Sequence, residues 1–318
     1  MSQATTSSSV VHRAGAFDWR VVVEASKPGI VKMVALTAAI GFVIRASVFP
    51  NGSLLQGVAL LVITVIGTAL AAAGANVLNQ AWEAPLDAKM RRTCRRPIPS
   101  GRLARASAWW WGIALVFAGG VLLLITTPAA ALLSFLSAVM YVIIYTPMKT
   151  VSPLSTIVGA APGALPCVVG WAAAGEGSGV AAAFEPGGWA LFMIVFAWQM
   201  PHFLAIAWRH REDYAKAGMK VLPVVDPSGE RMSRAALTWS LAMVPIGALP
   251  ALAIPGVISP VSTAVAALGG LAMLLASKDL AERRTDASAK TRFFVSIVYL
   301  PLVLTFLVSD ALIHVAFT

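Results

Sequence analysis

Nine long apolar runs constrain the fold of this 318-residue chain more than any other feature. A helix needs about 20 consecutive, mostly apolar residues to cross a bilayer. The runs occupy residues 30–49, 55–81, 107–126, 129–146, 154–174, 188–208, 235–254, 256–276 and 293–316. Only 12% of the residues are charged, against about 25% in an average soluble domain. The sequence therefore predicts an all-α, polytopic membrane bundle of nine transmembrane helices.

The cationic residues predict how this bundle is oriented. Of the 24 lysines and arginines, all except Arg45 fall in the N-terminal region or in loops that follow even-numbered runs. Because cytoplasmic loops carry an excess of Lys and Arg, we expect the N-terminus and these loops to be cytoplasmic. A net charge of +10 also occurs in nucleic-acid-binding proteins. Here the charges sit in short loops between apolar runs, so we expect the lipid bilayer, and no nucleic acid, as a partner.

The N-terminal residues differ in composition from the remainder of the chain. Residues 1–24 begin with a polar, Ser- and Thr-rich stretch and show no cleavable signal peptide. We expect a disordered polar cytoplasmic tail at 1–24 and one membrane domain at 25–318. The expected location is a bacterial inner (cytoplasmic) membrane.

The loop after the second run contains the most informative motif, NQAWEAPLDAKMRRTCRRPIPSGR at 79–102. Asn79, Glu83 and Asp87 lie four residues apart, and each step of four drifts by only about 40° around a helix. Pro85 disfavours a continuous helix, so Asp87 is expected on a loop or a new helix. Mg²⁺ is usually held by one or two carboxylates plus substrate phosphates. The motif predicts a Mg²⁺ site for a diphosphate, and the alternative is solvated acids that balance the arginines.

A second acidic pair, Glu212 and Asp213, follows the sixth run. Four spans separate the two acidic loops, so both lie on the same side of the membrane and can face each other across one cavity. We expect these acids to bind the same metal–diphosphate cluster. The alternative is pairing with neighbouring cations of their own loop, such as Arg209 or Lys216.

Four basic residues are candidates for binding the diphosphate: Arg91, Arg92, Arg96 and Lys149. Guanidinium groups bind phosphate oxygens in a bidentate fork. Lys149 is the lone charge of a tight turn, YTPMKTVSP, and is therefore expected to point at a phosphate. The alternative role of the arginines is to set topology and to contact lipid headgroups.

Inside the sixth run, FAWQMPHFLAIAW, Pro201 removes a backbone donor and is expected to bend the helix at His202. A polar residue within a span is a candidate functional group. We therefore expect His202 to contact substrate or relay protons, with hydrogen-bonded packing as the alternative. Tyr145 and Trp198 are candidates to line an apolar tunnel, where an aromatic face stabilises a passing cation.

Together these motifs resemble the UbiA-type intramembrane prenyltransferases, and in particular the branch of that family that acts on haem. The resemblance covers nearly the whole chain outside the tail. It is carried by SKPGIVKM (26–33), the 79–102 motif, YTPMKTVSPLSTIVGAAPGALPCVVGWAA (145–173), WQMPHFLAIAWRHREDYAKAGMKVLPVV (198–225) and FFVSIVYLPL (293–302). Two positions depart from the superfamily pattern, which usually has Asp where this chain has Glu83 and Ala217.

The resemblance implies a central cavity that opens to the cytosolic side, farnesyl diphosphate and haem B as substrates, and haem O and diphosphate as products. It implies Mg²⁺ as cofactor, with Asn79, Glu83, Asp87, Asp213 and Glu212 as candidate ligands. Haem O serves respiratory oxidases, so contact with haem A synthase or oxidase assembly machinery is a further expectation. One alternative is a UbiA-type enzyme that prenylates an aromatic quinone precursor. The other is a transporter, which the confinement of charges to loops disfavours.

Overall fold

The computed structural model describes residues 18–50, 52–175, 177 and 180–317. Within these ranges nine helices are long and apolar enough to span a membrane, and the same ranges contain no strand. The nine are α1 (Pro28–Val48), α2 (Leu54–Asp87), α3 (Arg105–Leu124), α4 (Pro128–Met148), α5 (Ser155–Ala173), α6 (Pro186–Arg209), α7 (Glu230–Ala253), α8 (Pro260–Arg283) and α9 (Asp286–Phe317). The predicted all-α bundle of nine spans is confirmed.

The helix α2 is longer than predicted and carries the first acidic motif. It runs unbroken through Pro85 to Asp87. A proline displaces the hydrogen bond to the carbonyl four residues earlier, here that of Ala81, and this carbonyl instead accepts a bond of 2.7 Å from Nε of Arg105. The prediction that Pro85 separates Asp87 from the helix was therefore wrong. At 34 residues the helix is about 51 Å long, so it extends well beyond a hydrocarbon core of about 30 Å.

The last predicted run also begins earlier than expected. Arg292 was assigned to a loop, but α9 starts at Asp286 and places Arg292 within the helix, fully buried. Its Nη2 atom donates to the carbonyl of Pro201 in α6. This helix-to-helix bond fixes α9 against α6 beside His202.

A short helix, Trp19–Ala25, precedes α1. The side chain of Asp18 caps it by accepting a bond from the backbone N–H of Arg20 at 2.9 Å, and Ala25 packs against α2. Glu24 accepts two bonds of 2.6 Å from Arg102. The predicted disorder was thus wrong for residues 18–24, because the cap and the packing against α2 hold this stretch in a helix. Residues 1–17 lie outside the described residues, and the tail remains a prediction there.

Six helices enclose a central cavity, α1, α2, α4, α5, α6 and α9. In this arrangement α1 packs against α2, α5 and α9, while α6 packs against α5, α7 and α9. The contact between α1 and α5 is very close, since a Cβ at Gly170 would overlap the carbonyl of Ala38. Gly170 therefore allows two backbones to meet, as small residues do between membrane helices.

Two irregular segments shape the site end of the bundle. Met140–Tyr145, near the end of α4, forms a π-helical turn, a feature frequent at functional sites. The connection from α6 to α7 contains two short helices, Arg211–Lys216 and Leu222–Val225. The first of these carries the second acidic pair.

The one cation outside the predicted loop pattern, Arg45, lies at the other end of the bundle. Its guanidinium is buried and donates to both carboxylate oxygens of Glu185, at 2.9 and 2.8 Å. Trp171 Nε1 donates to the same carboxylate at 2.7 Å. Partial burial alone would raise the pKa of Glu185, but these bonds hold it below its ordinary value.

Candidate functional site

The central cavity has two adjoining compartments of different character. The larger, which we call the apolar cavity, has a volume of about 410 Å³ and lies among the six enclosing helices. The smaller, which we call the polar compartment, has a volume of about 130 Å³ and is lined by residues at the ends of α2, α4, α5 and α6 and in the neighbouring connections. Five residues line both, namely Lys27, Tyr145, Lys149, Gly159 and Phe203. A molecule with a charged head and an apolar tail could occupy both compartments at once.

The polar residues of α2 are buried on the helix face that meets this site. Asn79, Glu83 and Asp87 are 0%, 3% and 1% exposed, respectively. Glu83 and Asp87 line the polar compartment. Asn79 lies about one helical turn before Glu83 and does not line the compartment, and its Nδ2 donates to Oγ1 of Thr146 at 3.0 Å. The continuous helix thus brings together the three residues of the predicted motif.

Both carboxylates are paired with a cation. Nη1 of Arg96 donates to both oxygens of Asp87, at 3.0 and 2.8 Å. Lys149 places Nζ 2.6 Å from Oε1 of Glu83. Because a buried charge is costly unless paired, these contacts explain how two carboxylates can remain buried side by side.

Lys149 lies at the junction of the two compartments. Its Nζ is 4.4 Å from the centre of the Tyr145 ring. Burial alone would lower the pKa of Lys149, but the adjacent Tyr145 and the Glu83 carboxylate raise it above its ordinary value. The ammonium group therefore stays charged and available to an anion.

Lys27 is a site residue that the sequence reasoning missed. Its Nζ donates to Oδ1 of Asn79 at 2.7 Å, and its backbone is left-handed with φ 56°, which is uncommon for a residue with a side chain. Burial, together with the nearby guanidinium of Arg96, lowers the pKa of Lys27 to about 7. The available signal was its place in SKPGIVKM, directly before Pro28 at the start of α1.

The two predicted acidic loops lie at the same end of the bundle and touch each other. Nη2 of Arg92 donates to the hydroxyl of Tyr214 at 3.3 Å, and Met90 packs against Ala217 and Met219. The backbone N–H of Lys220 donates to the carbonyl of Lys149 at 2.7 Å. The connections after α2, α4 and α6 therefore form one polar end of the cavity.

The structure brings some of the predicted loop residues into the polar compartment and leaves others outside. Arg92, Arg96 and Lys149 line it, whereas Arg91 is exposed and does not. Asp213 is half-buried and Glu212 is exposed, and neither lines the compartment. Tyr214, the next residue on the same short helix, lines it instead. The sequence reasoning missed Tyr214, because a single tyrosine beside two acids gives no separate signal.

Among the described residues, no group of three or more His, Cys, Asp or Glu side chains is gathered as a metal site. A cation in the polar compartment would rely on the carboxylates of Glu83 and Asp87, the Asn79 amide and oxygens of a ligand. That donor set suits Mg²⁺, which keeps few protein ligands.

All three predicted substrate-contact residues, Tyr145, Trp198 and His202, line the apolar cavity. Trp198 Nε1 donates to the carbonyl of Ser296 at 2.6 Å, and His202 Nδ1 lies 2.7 Å from the Ser296 hydroxyl. Gly159 faces Tyr145 so closely that a Cβ there would lie 2.5 Å from the ring. The wall of the cavity is therefore aromatic and held in place by bonds to α9.

The chain is similar to known proteins over nearly its whole length. The UbiA prenyltransferase family matches residues 34–298. A protein of Solibacter usitatus named protoheme IX farnesyltransferase is 38% identical over 296 residues, which cover 92% of this chain and 98% of that protein.

Solved structures share the fold at low sequence identity. A digeranylgeranylglyceryl phosphate synthase matches with a TM-score of 0.73 and 17% identity, covering 92% of this chain and 98% of that one. A UbiA homolog from Archaeoglobus fulgidus, bound to GPP and Mg²⁺, matches with a TM-score of 0.65 and 15% identity over 93% and 99% of the two chains. These matches confirm the fold, while the family assignment rests on the sequence matches. The chain belongs to the UbiA prenyltransferase family, and its sequence is similar to that of the Solibacter usitatus protoheme IX farnesyltransferase over nearly the whole length of both chains.

Proposed function

We propose that this protein transfers the farnesyl group of farnesyl diphosphate to a vinyl group of haem B, giving haem O and diphosphate. One observation carries the proposal: a polar compartment with buried, paired charges adjoins a larger apolar cavity and shares five lining residues with it. A prenyl diphosphate has this division of character. The diphosphate would occupy the polar compartment, and the isoprenoid chain and the acceptor would share the apolar cavity.

The relatives support the choice of substrates. The Solibacter usitatus protein, named for farnesyl transfer to protoheme IX, aligns over nearly the whole length of both chains. The Archaeoglobus fulgidus structure holds a shorter prenyl diphosphate with Mg²⁺. An acceptor such as an aromatic quinone precursor would use the same donor half of the site, so the acceptor must be decided by assay.

A divalent cation fits the polar compartment. Glu83 Oε1 is buried and accepts no hydrogen bond of good geometry, although Lys149 Nζ lies close to it. Glu83, Asp87 and Asn79 would hold Mg²⁺, and Asp213 would join them from the facing loop. Glu212, which is exposed, would contribute least. Bound Mg²⁺ would supply charge neutralisation for the diphosphate leaving group.

The protein's own cations would do the remaining electrostatic work. Lys149, Arg96 and Arg92 would donate to diphosphate oxygens and stabilise the charge that grows as the bond from C1 to oxygen breaks. Lys27, whose pKa lies near 7, can gain a proton when an anion enters. The diphosphate leaves with the electron pair of that bond.

The apolar cavity would protect the allylic cation until it meets the acceptor. Tyr145 lines both compartments, and its ring face can stabilise a cation at C1. The vinyl group supplies the electron pair of the new carbon–carbon bond, which leaves a cation beside the porphyrin ring. Water then adds to that cation and releases a proton, giving a hydroxyethylfarnesyl group. The apolar wall would exclude water from C1 until the new carbon–carbon bond has formed.

The proposed location is a bacterial inner membrane with the polar compartment facing the cytoplasm. The support is the distribution of Lys and Arg: among the described residues, all of them except Arg45 lie in or beside the segments that precede α1 or follow α2, α4, α6 and α8. Labelling of single cysteines, introduced at exposed Lys216 and at exposed Leu252, would test the sidedness from each face of sealed vesicles.

The proposed reaction is tested by incubating membranes that contain the full chain with farnesyl diphosphate, haem B and Mg²⁺. The expected product is haem O, identified by its mass. Parallel incubations replace haem B with an aromatic quinone precursor. Prenylation of the precursor without haem O would overturn the haem acceptor, and no transfer to either acceptor would overturn the proposed activity.

A further inference from the structure

The imidazole of His202 is held by two aromatic rings and by a hydrogen bond. Its ring stacks on Trp198 at 4.8 Å and 21°, and on Phe293 at 5.1 Å and 23°. Its Nδ1 atom is bonded to the Ser296 hydroxyl at 2.7 Å. These contacts fix both the position and the plane of the ring at the wall of the apolar cavity.

The bond to Ser296 also fixes which ring nitrogen carries the proton. The Ser296 hydroxyl donates its only proton to the carbonyl of Phe293 at 2.5 Å, so towards His202 it can only accept. Nδ1 is then the donor, and in a neutral imidazole the other nitrogen has a free lone pair. That free atom is Nε2.

Nε2 has no hydrogen-bond partner among the described residues. This atom is also not completely buried, so a ligand can reach it. His202 itself lines the apolar cavity. An imidazole with one N–H held by a hydrogen bond and the other nitrogen free is the usual state of a metal-ligating histidine. Imidazole is also a suitable ligand for iron.

We propose that His202, through Nε2, is an axial ligand of the haem iron when the acceptor is bound. This inference rests on the proposed function, since it needs haem in the apolar cavity. Among the described residues that line this cavity, His202 is the only histidine, and none is a cysteine.

Ligation by His202 would position the haem acceptor next to C1 of the farnesyl donor. Phe203, the next residue, lines both compartments, so His202 stands beside the junction where C1 of the farnesyl chain would emerge. If Nε2 held the iron, the bound haem could change its orientation only by rotation about the iron–nitrogen bond. Such restriction of orientation accelerates a bond-forming step.

The inference is tested on the full chain purified in detergent and titrated with haem B and, separately, with iron-free protoporphyrin IX. Wild-type protein is expected to give an absorption and resonance Raman signature of histidine-ligated iron. His202→Ala is expected to lose that signature and to bind haem more weakly by roughly 10-fold or more, while protoporphyrin binding stays unchanged. Added free imidazole is expected to restore the signature.

Equal weakening of haem and protoporphyrin binding by His202→Ala would overturn the inference, because it would indicate packing alone. An unchanged haem spectrum would overturn it as well. His202→Met is a second variant, which keeps a long side chain and so controls for a folding defect. Its sulfur can bind iron but gives a spectrum different from that of imidazole. A wild-type spectrum in this variant would therefore also count against ligation by His202. Ser296→Ala should keep the histidine signature with a shifted iron–nitrogen stretch.

The failure of this inference can be told apart from failure of the proposed function. Haem O formation by wild-type membranes together with an unchanged His202→Ala spectrum would remove the ligation only. Absence of haem O formation would remove the proposed function, while the purified protein's haem titration would still decide ligation.

Discussion

The Nζ atom of Lys149 lies 2.6 Å from Oε1 of Glu83, so the end of α4 is tied to the end of α2 across the polar compartment. Both side chains are largely buried, at 14% and 4% exposed. Removing one partner of a buried pair leaves an uncompensated charge. In the proposed reaction the diphosphate and its cation would take over both roles, with Lys149 turning to phosphate and Glu83 to metal.

Replacing Lys149 with methionine is expected to lower the rate of farnesyl transfer by roughly 10²- to 10³-fold, as loss of one donor to a developing negative charge does elsewhere. The measurement is haem O formation in membranes at saturating Mg²⁺. Lys216→Met is the matched control, because Lys216 is exposed on the facing loop and should leave the rate near that of wild type. Similar rates for the two variants would refute a specific role of Lys149.

Asp87→Asn is expected to reduce turnover by roughly 100-fold and to raise the Mg²⁺ concentration needed for half-maximal rate, since carboxylates are the preferred Mg²⁺ ligands. The assay is a Mg²⁺ titration of farnesyl transfer. Asp279→Asn is the control, because Asp279 also pairs with an arginine, Arg283, but at the surface. Turnover of Asp87→Asn close to wild type would exclude Asp87 from the site.

The second acidic pair is expected to be unequal. Asp213→Ala should lower turnover by about 10-fold, the scale of losing one metal ligand or its support, whereas Glu212→Ala should change it little because Glu212 is exposed. Both variants are compared in the same Mg²⁺ titration. An effect of Glu212→Ala as large as that of Asp213→Ala would contradict the assignment.

Gly159→Ala is expected to displace the Tyr145 ring, because the added Cβ would lie 2.5 Å from it. We expect turnover to fall by about 10-fold, while the chain still assembles in the membrane, since overpacking typically costs about 1–3 kcal/mol. Gly120→Ala adds the same methyl group where nothing lies within 4 Å, and it should behave as wild type. Full activity of Gly159→Ala would show that the position of Tyr145 is unimportant.

The pair of Arg45 and Glu185 predicts an acid-sensitive contribution to stability. Because the folded protein holds the pKa of Glu185 below its ordinary value of 4.5, the contribution is complete above that value and is lost as the pH falls through the lowered pKa. Thermal unfolding in detergent, measured along a pH series, should therefore show a smaller acid-induced loss in Glu185→Gln than in wild type. Equal losses in both proteins would contradict the prediction.

The nine spans could be predicted from the sequence because each is a long apolar run, and a run of that length has few other solutions in lipid. The end of α2 could not, because its continuation through Pro85 depends on Arg105, which is 24 residues away along the chain and supplies the bond to Ala81. Arg292 was misplaced for a similar reason. Its partner is a carbonyl on another helix, and loop charges and buried charges look alike in sequence.

The candidate site was predictable as far as its acids and arginines cluster along the chain. The sequence indicated Glu83, Asp87 and Lys149, which line the polar compartment. It missed Lys27, which reaches the compartment from a separate segment before α1, and Tyr214, because a single tyrosine beside two acids gives no separate signal. Spatial convergence of single residues leaves no local pattern.

The unbroken course of α2 has a mechanical consequence. Carboxylates on a flexible loop would move independently of the lipid. Glu83 and Asp87 instead belong to the continuous helix that crosses the bilayer. A helix responds to a change in membrane thickness by tilting, so a tilt of α2 displaces both carboxylates together. The acyl-chain length of the host lipid thereby becomes one of the variables that set the spacing between these acids and the loops facing them.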